Sequence, residues 1–283
     1  MNQNDRWWFG TKYHQKLEEV IKREYDLIPT FSNPISWGYT TNAFYIKTNE
    51  GDFAARLSKN SPEKIRTIEK DIEISRALEN VLPVPKYIKN RNGDYLSIIQ
   101  EEKDDYAILI SNSIIRLHKF IEGVLPFDMT ENILAQCVDL VKTLHIFSVP
   151  IRRGAEDSLL HGDLTPSNFL VAYGKIVAVL DFEKTFVGPV EYDLSKMAVF
   201  FWFRMPAHTF PEIMQLILNR YDSVTINVDT LYKFSVQHAQ NHLANIANNK
   251  KRYSNQKEWE KEYSFVKEKF AGILLLEDSP AEG

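Results

Sequence analysis

The stretch that most constrains this chain is residues 161–183, HGDLTPSNFLVAYGKIVAVLDFE. Phe169–Ala172 and Val177–Leu180 are apolar runs of strand length, and Tyr173-Gly174-Lys175-Ile176 between them supplies a short glycine-containing connection, together a β-hairpin pattern. A hairpin symmetric about that loop sets Ala172 opposite Val177, and the same register sets Asn168 opposite Asp181. Directly opposed residues on antiparallel strands hold their Cβ atoms roughly 5 Å apart. An amide oxygen and a carboxylate would then meet at the open end of the hairpin, and two hard oxygen ligands suit magnesium. Asp163 lies five residues before Asn168 on the loop entering the first strand, close enough to return to the same mouth.

A magnesium site with one further carboxylate beside it is the equipment of phosphoryl transfer. The metal neutralises triphosphate charge, and the carboxylate orients a hydroxyl and accepts its proton. Singly, each of these acids reads as a solvated loop charge or a helix cap; the spacing of all three gives the chemical reading.

The rest of the chain divides into two patterns. Lys12–Tyr25 reads as an amphipathic helix, with Trp7, Trp8 and Phe9 before it as a packing anchor. Asn42–Lys47 and Phe53–Leu57 form a hairpin across Asn49-Glu50-Gly51-Asp52, a helix follows from Pro62 to Glu79, and Tyr95–Gln100 and Ile114–Ile121 read as strands. After Glu122-Gly123 the periodicity turns helical, most strongly over Asn132–Phe147. The expected organisation is an N-terminal lobe at 1–121 and a C-terminal lobe at 122–283, both supplied with core material by a chain that is 44% hydrophobic. A net charge of -4 without a long basic run speaks against nucleic-acid and anionic-membrane partners. The longest apolar run, Met197–Phe203, is too short to span a bilayer. The single Cys137 sits on the apolar face of a helix and reads as a core thiol; one cysteine and no secretory apolar region at the start point to the cytoplasm.

His161, Asp163 and Asn168, followed by Asp181-Phe182, match the H-x-D-x-x-x-x-N and D-F elements of the protein-kinase superfamily. The wording HGDLTPSN, with VLDFE and GPVEYDLSK behind it, resembles the aminoglycoside phosphotransferase/choline kinase branch. The resemblance implies an α+β, two-lobed protein-kinase-like fold: a small antiparallel-sheet lobe that binds ATP and a mainly helical lobe for catalysis and the acceptor. It implies Asp163 as catalytic base, Asn168 and Asp181 as Mg2+ ligands, His161 as a brace of the catalytic loop and Asp193 as the residue holding that loop from behind. In the N-terminal lobe it implies that Gly38-Tyr39-Thr40-Thr41-Asn42 covers the phosphates, in a G-x-x-x-N form with one glycine, through backbone N–H groups and threonine hydroxyls. Arg56 in FAARL takes the place of the phosphate-gripping base. Its partner acid belongs on the next helix, with Asp71 first and Glu69 and Glu73 as alternatives. Adenine would bond to main chain around His118–Ile121, which brings in Lys119, Phe120 and Ile121.

The acceptor is less legible, since this branch acts on aminoglycosides, choline, ethanolamine, homoserine, methylthioribose and other hydroxyl compounds. Trp202 and its phenylalanine neighbours offer an aromatic wall for a cationic amine or simply core packing. The segment Ser235–Asn249 carries no formal charge yet repeats His238, His242, Asn245 and Asn249 on one helical face, the pattern of a semi-buried cleft. Glu183, Glu191 and Asp193 add acidity. The expectation is a phosphotransferase acting on a hydroxyl of an amine-bearing metabolite that is choline-, ethanolamine- or homoserine-like. The alternatives are an aminoglycoside phosphotransferase of antibiotic resistance and a nucleotide-binding pseudokinase serving as an interaction module. A protein kinase is disfavoured, because only about ten residues separate Asp181 from Tyr192-Asp193 and no A-P-E-type motif closes the segment.

Overall fold

A computed structural model describes residues 11–37, 41–99, 110, 112–127, 129–147, 157–222, 226–250, 253 and 255–274. The chain forms two compact units, Met1–Gly123 with Val177–Glu183, and Val124–Ile176 with Lys184–Gly283. The division falls after Gly123 rather than after residue 121, and a later segment returns to the first unit. That return is fixed by tertiary hydrogen bonds, from Val179 N to Pro83 O at 2.7 Å and from Phe182 N to Asp71 Oδ1 at 2.9 Å, which local hydropathy cannot show.

The first unit is built on a five-stranded antiparallel sheet in the order β1-β2-β3-β5-β4. Its strands are β1 (Pro29–Trp37), β2 (Thr41–Thr48), β3 (Gly51–Lys59), β4 (Ser97–Ile99) and β5 (Ser113–Lys119). β2 and β3 close through the expected turn, with Thr48 opposite Gly51 and Gly51 at φ +107°, a backbone that glycine adopts without steric cost. The helix α1 (Thr11–Tyr25) buries Leu17, Val20, Ile21 and Tyr25 in one cluster with Phe44, Ile46, Phe53 and Leu117 of the sheet. The helix α2 (Pro62–Leu78) starts where Ser61 caps it by accepting from Lys64 N, with Pro62 in its first turn. Its buried face is Ile68, Asp71, Ile72, Ser75 and Leu78, so one carboxylate goes into the core with the aliphatic residues.

His118 on β5 is buried, and its Nδ1 donates to Lys119 O at 2.9 Å. Burial, offset only in part by that bond, lowers its pKa from 6.5 to about 4. The unfolded chain therefore binds this proton first as pH falls. Stability from this group is fully present above about pH 6.5 and is lost as pH falls toward 4, with a slope approaching about 1.4 kcal/mol per pH unit. Urea midpoints measured from pH 7 to 4.5 should drop more steeply for the wild type than for His118→Gln; parallel curves would remove His118 as the source.

The second unit holds α3 (Glu131–Phe147), β6 (Asp157–Leu160), β7 (Phe169–Ala172), β9 (Phe186–Pro189), α4 (Glu191–Trp202), α5 (Phe210–Tyr221), α6 (Val228–Asn248) and α7 (Gln256–Leu274). β6 and β9 pair antiparallel from Asp157–Pro189 to Leu160–Phe186. At four residues each they are too short to show a period of two in the sequence, and neither was expected. β7 continues into β8 (Lys175–Val179) through only two residues, Tyr173 and Gly174, both at positive φ. A two-residue turn of this kind matches the twist of its strands. The hairpin is thus tighter than the four-residue loop read from sequence, and the register argument that set Asn168 opposite Asp181 does not hold. Cys137 is fully buried on α3 and burial pushes its thiol pKa up, so it is a core residue. Among the described residues no helix is long and apolar enough to cross a membrane.

Candidate active site

In the second unit, the loop from His161 to Asn168 joins β6 to β7 and is held from below by one buried side chain. Asp193, in the first turn of α4, accepts from His161 N at 2.7 Å and Gly162 N at 2.9 Å, and its Oδ2 lies 3.2 Å from His145 Nε2. Burial pushes the Asp193 carboxyl up, but the His145 hydrogen bond, the nearby imidazoles and Gly162 N–H outweigh it and hold the group below the usual carboxylate range. Gly162 stands at φ +77°, where a Cβ would lie 2.3 Å from Lys184 O. Only glycine fits that approach. Within the loop, Asn168 Nδ2 and Thr165 N both donate to Asp163 O, at 2.7 and 2.8 Å. The amide nitrogen of Asn168 is thereby committed to the loop, and its Oδ1 is the atom left to bind a cation.

The Asp163 carboxylate is held by two lysines. Lys184 Nζ donates to Oδ2 at 2.7 Å and Lys196 Nζ lies 2.8 Å from Oδ1. The two contacts differ in kind. Lys196 is 13% exposed and also donates to Gly162 O at 3.0 Å, whereas Lys184 is 63% exposed. Burial pushes the Asp163 carboxyl up, but the charge of Lys196 and the hydrogen bonds from both lysines outweigh it, so Asp163 is held below the ordinary range and is ionised at neutral pH.

Asp163 opens into a cavity of about 660 Å3 within this unit. Lys184, Tyr192, Lys196, Phe200, Phe203 and Arg204 line one side, and His238, Asn241, His242 and Asn245 of α6 line the other. The uncharged face read on α6 does border a cleft. His238 Nε2 donates to Tyr192 O at 3.1 Å, and burial lowers its pKa to about 4; the pKa of His242 is lowered by burial and by Lys196. Both rings are neutral at pH 7, and the wall stays uncharged.

The first unit contains its own buried charge cluster. Arg56 on β3 stands opposite Arg116 on β5. Arg116 is fully buried, with Nη2 3.0 Å from Glu183 Oε1 and 3.6 Å from Asp71 Oδ2. Asp71 Oδ2 also accepts from Tyr87 Oη at 2.6 Å, and Asp71 Oδ1 from Phe182 N at 2.9 Å. Asp71 is the buried acid of α2, while Glu69 and Glu73 are exposed. Its ion-pair partner is nevertheless Arg116. Arg56 lies instead 4.0 Å from Asp181. The sequence signal for Arg116 was its place as a cation inside the otherwise apolar run Ile114–Leu117.

Asp181 follows β8 in the left-handed region at φ +68°. Its Oδ1 is buried without a hydrogen-bond partner among the described residues, and burial raises its pKa. A buried carboxylate oxygen with no donor suits the role of a cation ligand. No group of three or more histidine, cysteine, aspartate or glutamate side chains among the described residues forms a metal cage, and a magnesium ion held by substrate phosphates and one or two protein oxygens needs none.

Other expected residues are placed elsewhere. Glu183 is not on the cavity wall: it pairs with Lys64 at 2.5 Å and with Arg116, and these contacts hold its pKa down against burial. Glu191 is buried and accepts from Asn227 N at 2.8 Å, and Asp193 braces the loop. None of the three acids that suggested an amine-bearing acceptor lines the cavity. Trp202 is not on the lining either; its Nε1 donates to His208 O at 3.0 Å and its ring packs on Phe210 under Lys269. Lys119 N and Phe120 N donate to Lys86 O and Asp52 O, so those two amides are already engaged. Asn42 lies on β2 opposite Leu57, and Thr41 opens that strand. Gly38 and Thr40, with Trp7, Trp8 and Phe9, lie outside the described residues. The cavity lysines and Arg204 were missed. Lys196 had a readable signal, as a lone cation in the first turns of an apolar helix directly behind Asp193.

Residues 149–216 match the model of a phosphotransferase enzyme family, a region that contains the whole loop from His161 to Asn168. Solved structures share the fold. A microcompartment-associated aminopropanol kinase superposes with a TM-score of 0.69 at 13% identity, over 93% of this chain and 98% of that one. A spectinomycin phosphotransferase in complex with ADP and spectinomycin gives 0.65 at 14% identity, over 93% and 96%. An aminoglycoside phosphotransferase in ternary complex with ADP and hygromycin B gives 0.65 at 11% identity, over 94% and 100%. No curated protein matches this chain in sequence. The fold is the α+β, protein-kinase-like one that the motifs implied, and the resemblance to the aminoglycoside phosphotransferase family is found in both comparisons.

Proposed function

We propose that this protein transfers the γ-phosphoryl group of ATP to a hydroxyl of a small molecule, with Asp163 as the base. The observation that carries this reading is the setting of Asp163: an ionised carboxylate at the mouth of a cavity of small-molecule size, on a loop fixed by a buried aspartate. An acceptor hydroxyl would take the place of Lys184 at Asp163 Oδ2, since that lysine is the exposed one of the pair. The acceptor oxygen then bonds to the γ-phosphorus, the bond from that phosphorus to the β–γ bridging oxygen breaks, the hydroxyl proton passes to Asp163, and ADP leaves. Lys196 keeps the carboxylate ionised and aligned throughout. A magnesium ion held by Asn168 Oδ1 and Asp181 would neutralise the triphosphate charge. Arg56, beside Asp181, would grip the phosphates, and adenine would bond to main-chain groups of the segment at Ile121 other than the two engaged amides.

Magnesium-dependent release of ADP in the presence of a hydroxyl-compound panel tests this reading; a protein that releases none with any acceptor does not have this activity. Within it, Asp181→Ala should weaken MgATP binding more than Asn168→Ala, because a carboxylate supplies charge as well as an oxygen. Titration calorimetry with MgATP compares the two. Wild-type affinity in both variants would remove these residues from the metal.

A further inference from the structure

We infer that the acceptor carries an anionic group, a carboxylate, in addition to its hydroxyl, and that Arg204 selects it; this rests on the phosphotransferase reading of the same cavity. Among the described lining residues Asp163 is the single carboxylate, against three cations, Lys184, Lys196 and Arg204. Lys196 is consumed by Asp163 and Gly162 O, both within hydrogen-bond distance of a side chain that is mostly buried. Lys184 makes an exposed contact with the same carboxylate, of the kind that contributes little and is readily exchanged. Arg204 has no carboxylate partner among the described residues. Its guanidinium lies 5.1 Å from the centre of the Phe127 ring, and its N–H groups have no hydrogen-bond partner among the described residues. The facing wall of α6 adds no acid, only neutral imidazoles and the amides of Asn241 and Asn245.

A cationic acceptor entering this cavity would find Asp163, the single carboxylate among the described lining residues, already doubly paired and two exposed cations beside it. A multiply charged polyamine would meet that repulsion several times over. An acceptor with one carboxylate finds a planar, fork-shaped donor suited to it in Arg204, and Asn241 and Asn245 can bond to its further hydroxyls. Phe200 and Phe203 supply apolar walls for the carbon skeleton. A hydroxy acid matches all of these features.

Three alcohols that differ only at the far end, 4-hydroxybutanoate, butane-1,4-diol and 4-aminobutan-1-ol, separate the possibilities. Binding is read by titration of the intact protein in the presence of MgADP, and phosphoryl transfer by ADP release from MgATP. The acid should bind about tenfold or more tightly than the amine, the scale of a charge-assisted hydrogen bond. Arg204→Glu should abolish or invert that order, while changing binding of the diol by less than it changes binding of the acid. A wild-type preference for the amine, an unaltered order in Arg204→Glu, or no binding of any of the three would overturn the inference. Transfer to the amine in preference to the acid would keep the phosphotransferase reading and discard the acidic acceptor. Selective binding of the acid with no transfer to any alcohol would do the reverse.

Discussion

An Asp163→Asn variant should bind MgATP as the wild type does and turn over about 10²–10⁴-fold more slowly, the usual cost of removing a positioned general base. Asparagine keeps the size of the side chain and one acceptor oxygen, so the loop has no reason to move: its anchors are the bonds from the His161 and Gly162 amides to the Asp193 carboxylate and from the Asn168 side-chain amide to Asp163 O. What is lost is the negative charge that Lys184 and Lys196 now meet. The two ammonium groups would then face a neutral amide, and Lys196, the less exposed one, would lose the partner that compensates its burial. Steady-state kinetics with the true acceptor, paired with calorimetry of MgATP binding, separates the chemical step from nucleotide affinity. Wild-type turnover in Asp163→Asn would end the assignment of Asp163 as base; a parallel collapse of nucleotide affinity would mean that the substitution had disturbed the loop.

Asp71→Ala should destabilise the first unit by about 3–5 kcal/mol, the range for breaking one member out of a buried charge cluster. Asp71 is 1% exposed, and three donors converge on it: Tyr87 Oη, Phe182 N and the Arg116 guanidinium. Alanine leaves all three without that acceptor, and Arg116 already has Nε and Nη1 unsatisfied. Glu183 would then be the one carboxylate still paired with Arg116 among the described residues. Asp71→Asn keeps an acceptor for Phe182 N and turns an amide N–H toward Tyr87 Oη, which can accept it, so it should cost clearly less. Urea unfolding followed by far-UV circular dichroism measures both, and equal losses in the two variants would show that an acceptor at residue 71 contributes nothing once its charge is gone. Because the bond from Phe182 N holds the residue next to Asp181, the alanine variant should also bind MgATP more weakly than its residual stability alone would explain.

The motif residues His161, Asp163, Asn168, Asp181 and Asp193 were legible in the sequence because they are held by short loops and turns that tolerate few alternatives. Gly162 must be glycine and Asp193 must reach two consecutive amides, and such local requirements leave a fixed spacing in the chain. The helices α1, α2 and α3 were legible for a related reason: one face of each is buried, and burial imposes a period of 3.6 on the residues themselves. The neutral face of α6 was read in the same way.

Charge partnerships were not legible, because a side chain carries no record of what it meets across the fold. Asp71 reads as the mate of Arg56 until β5 sets Arg116 beside it. Glu183 and Glu191 read as a substrate's counter-charge until Lys64, Arg116 and Asn227 N take them up. The hairpin at Tyr173-Gly174 was misread because a two-residue turn and a four-residue loop fit the same composition, and only the positive φ angles of Tyr173 and Gly174 distinguish them. By itself the sequence determined which residues share the loop from His161 to Asn168 and what chemistry they suit, since that information is local. The tertiary structure alone decided the charge left over in the cavity, since that is what remains once Asp163, Glu183 and Glu191 have met their partners.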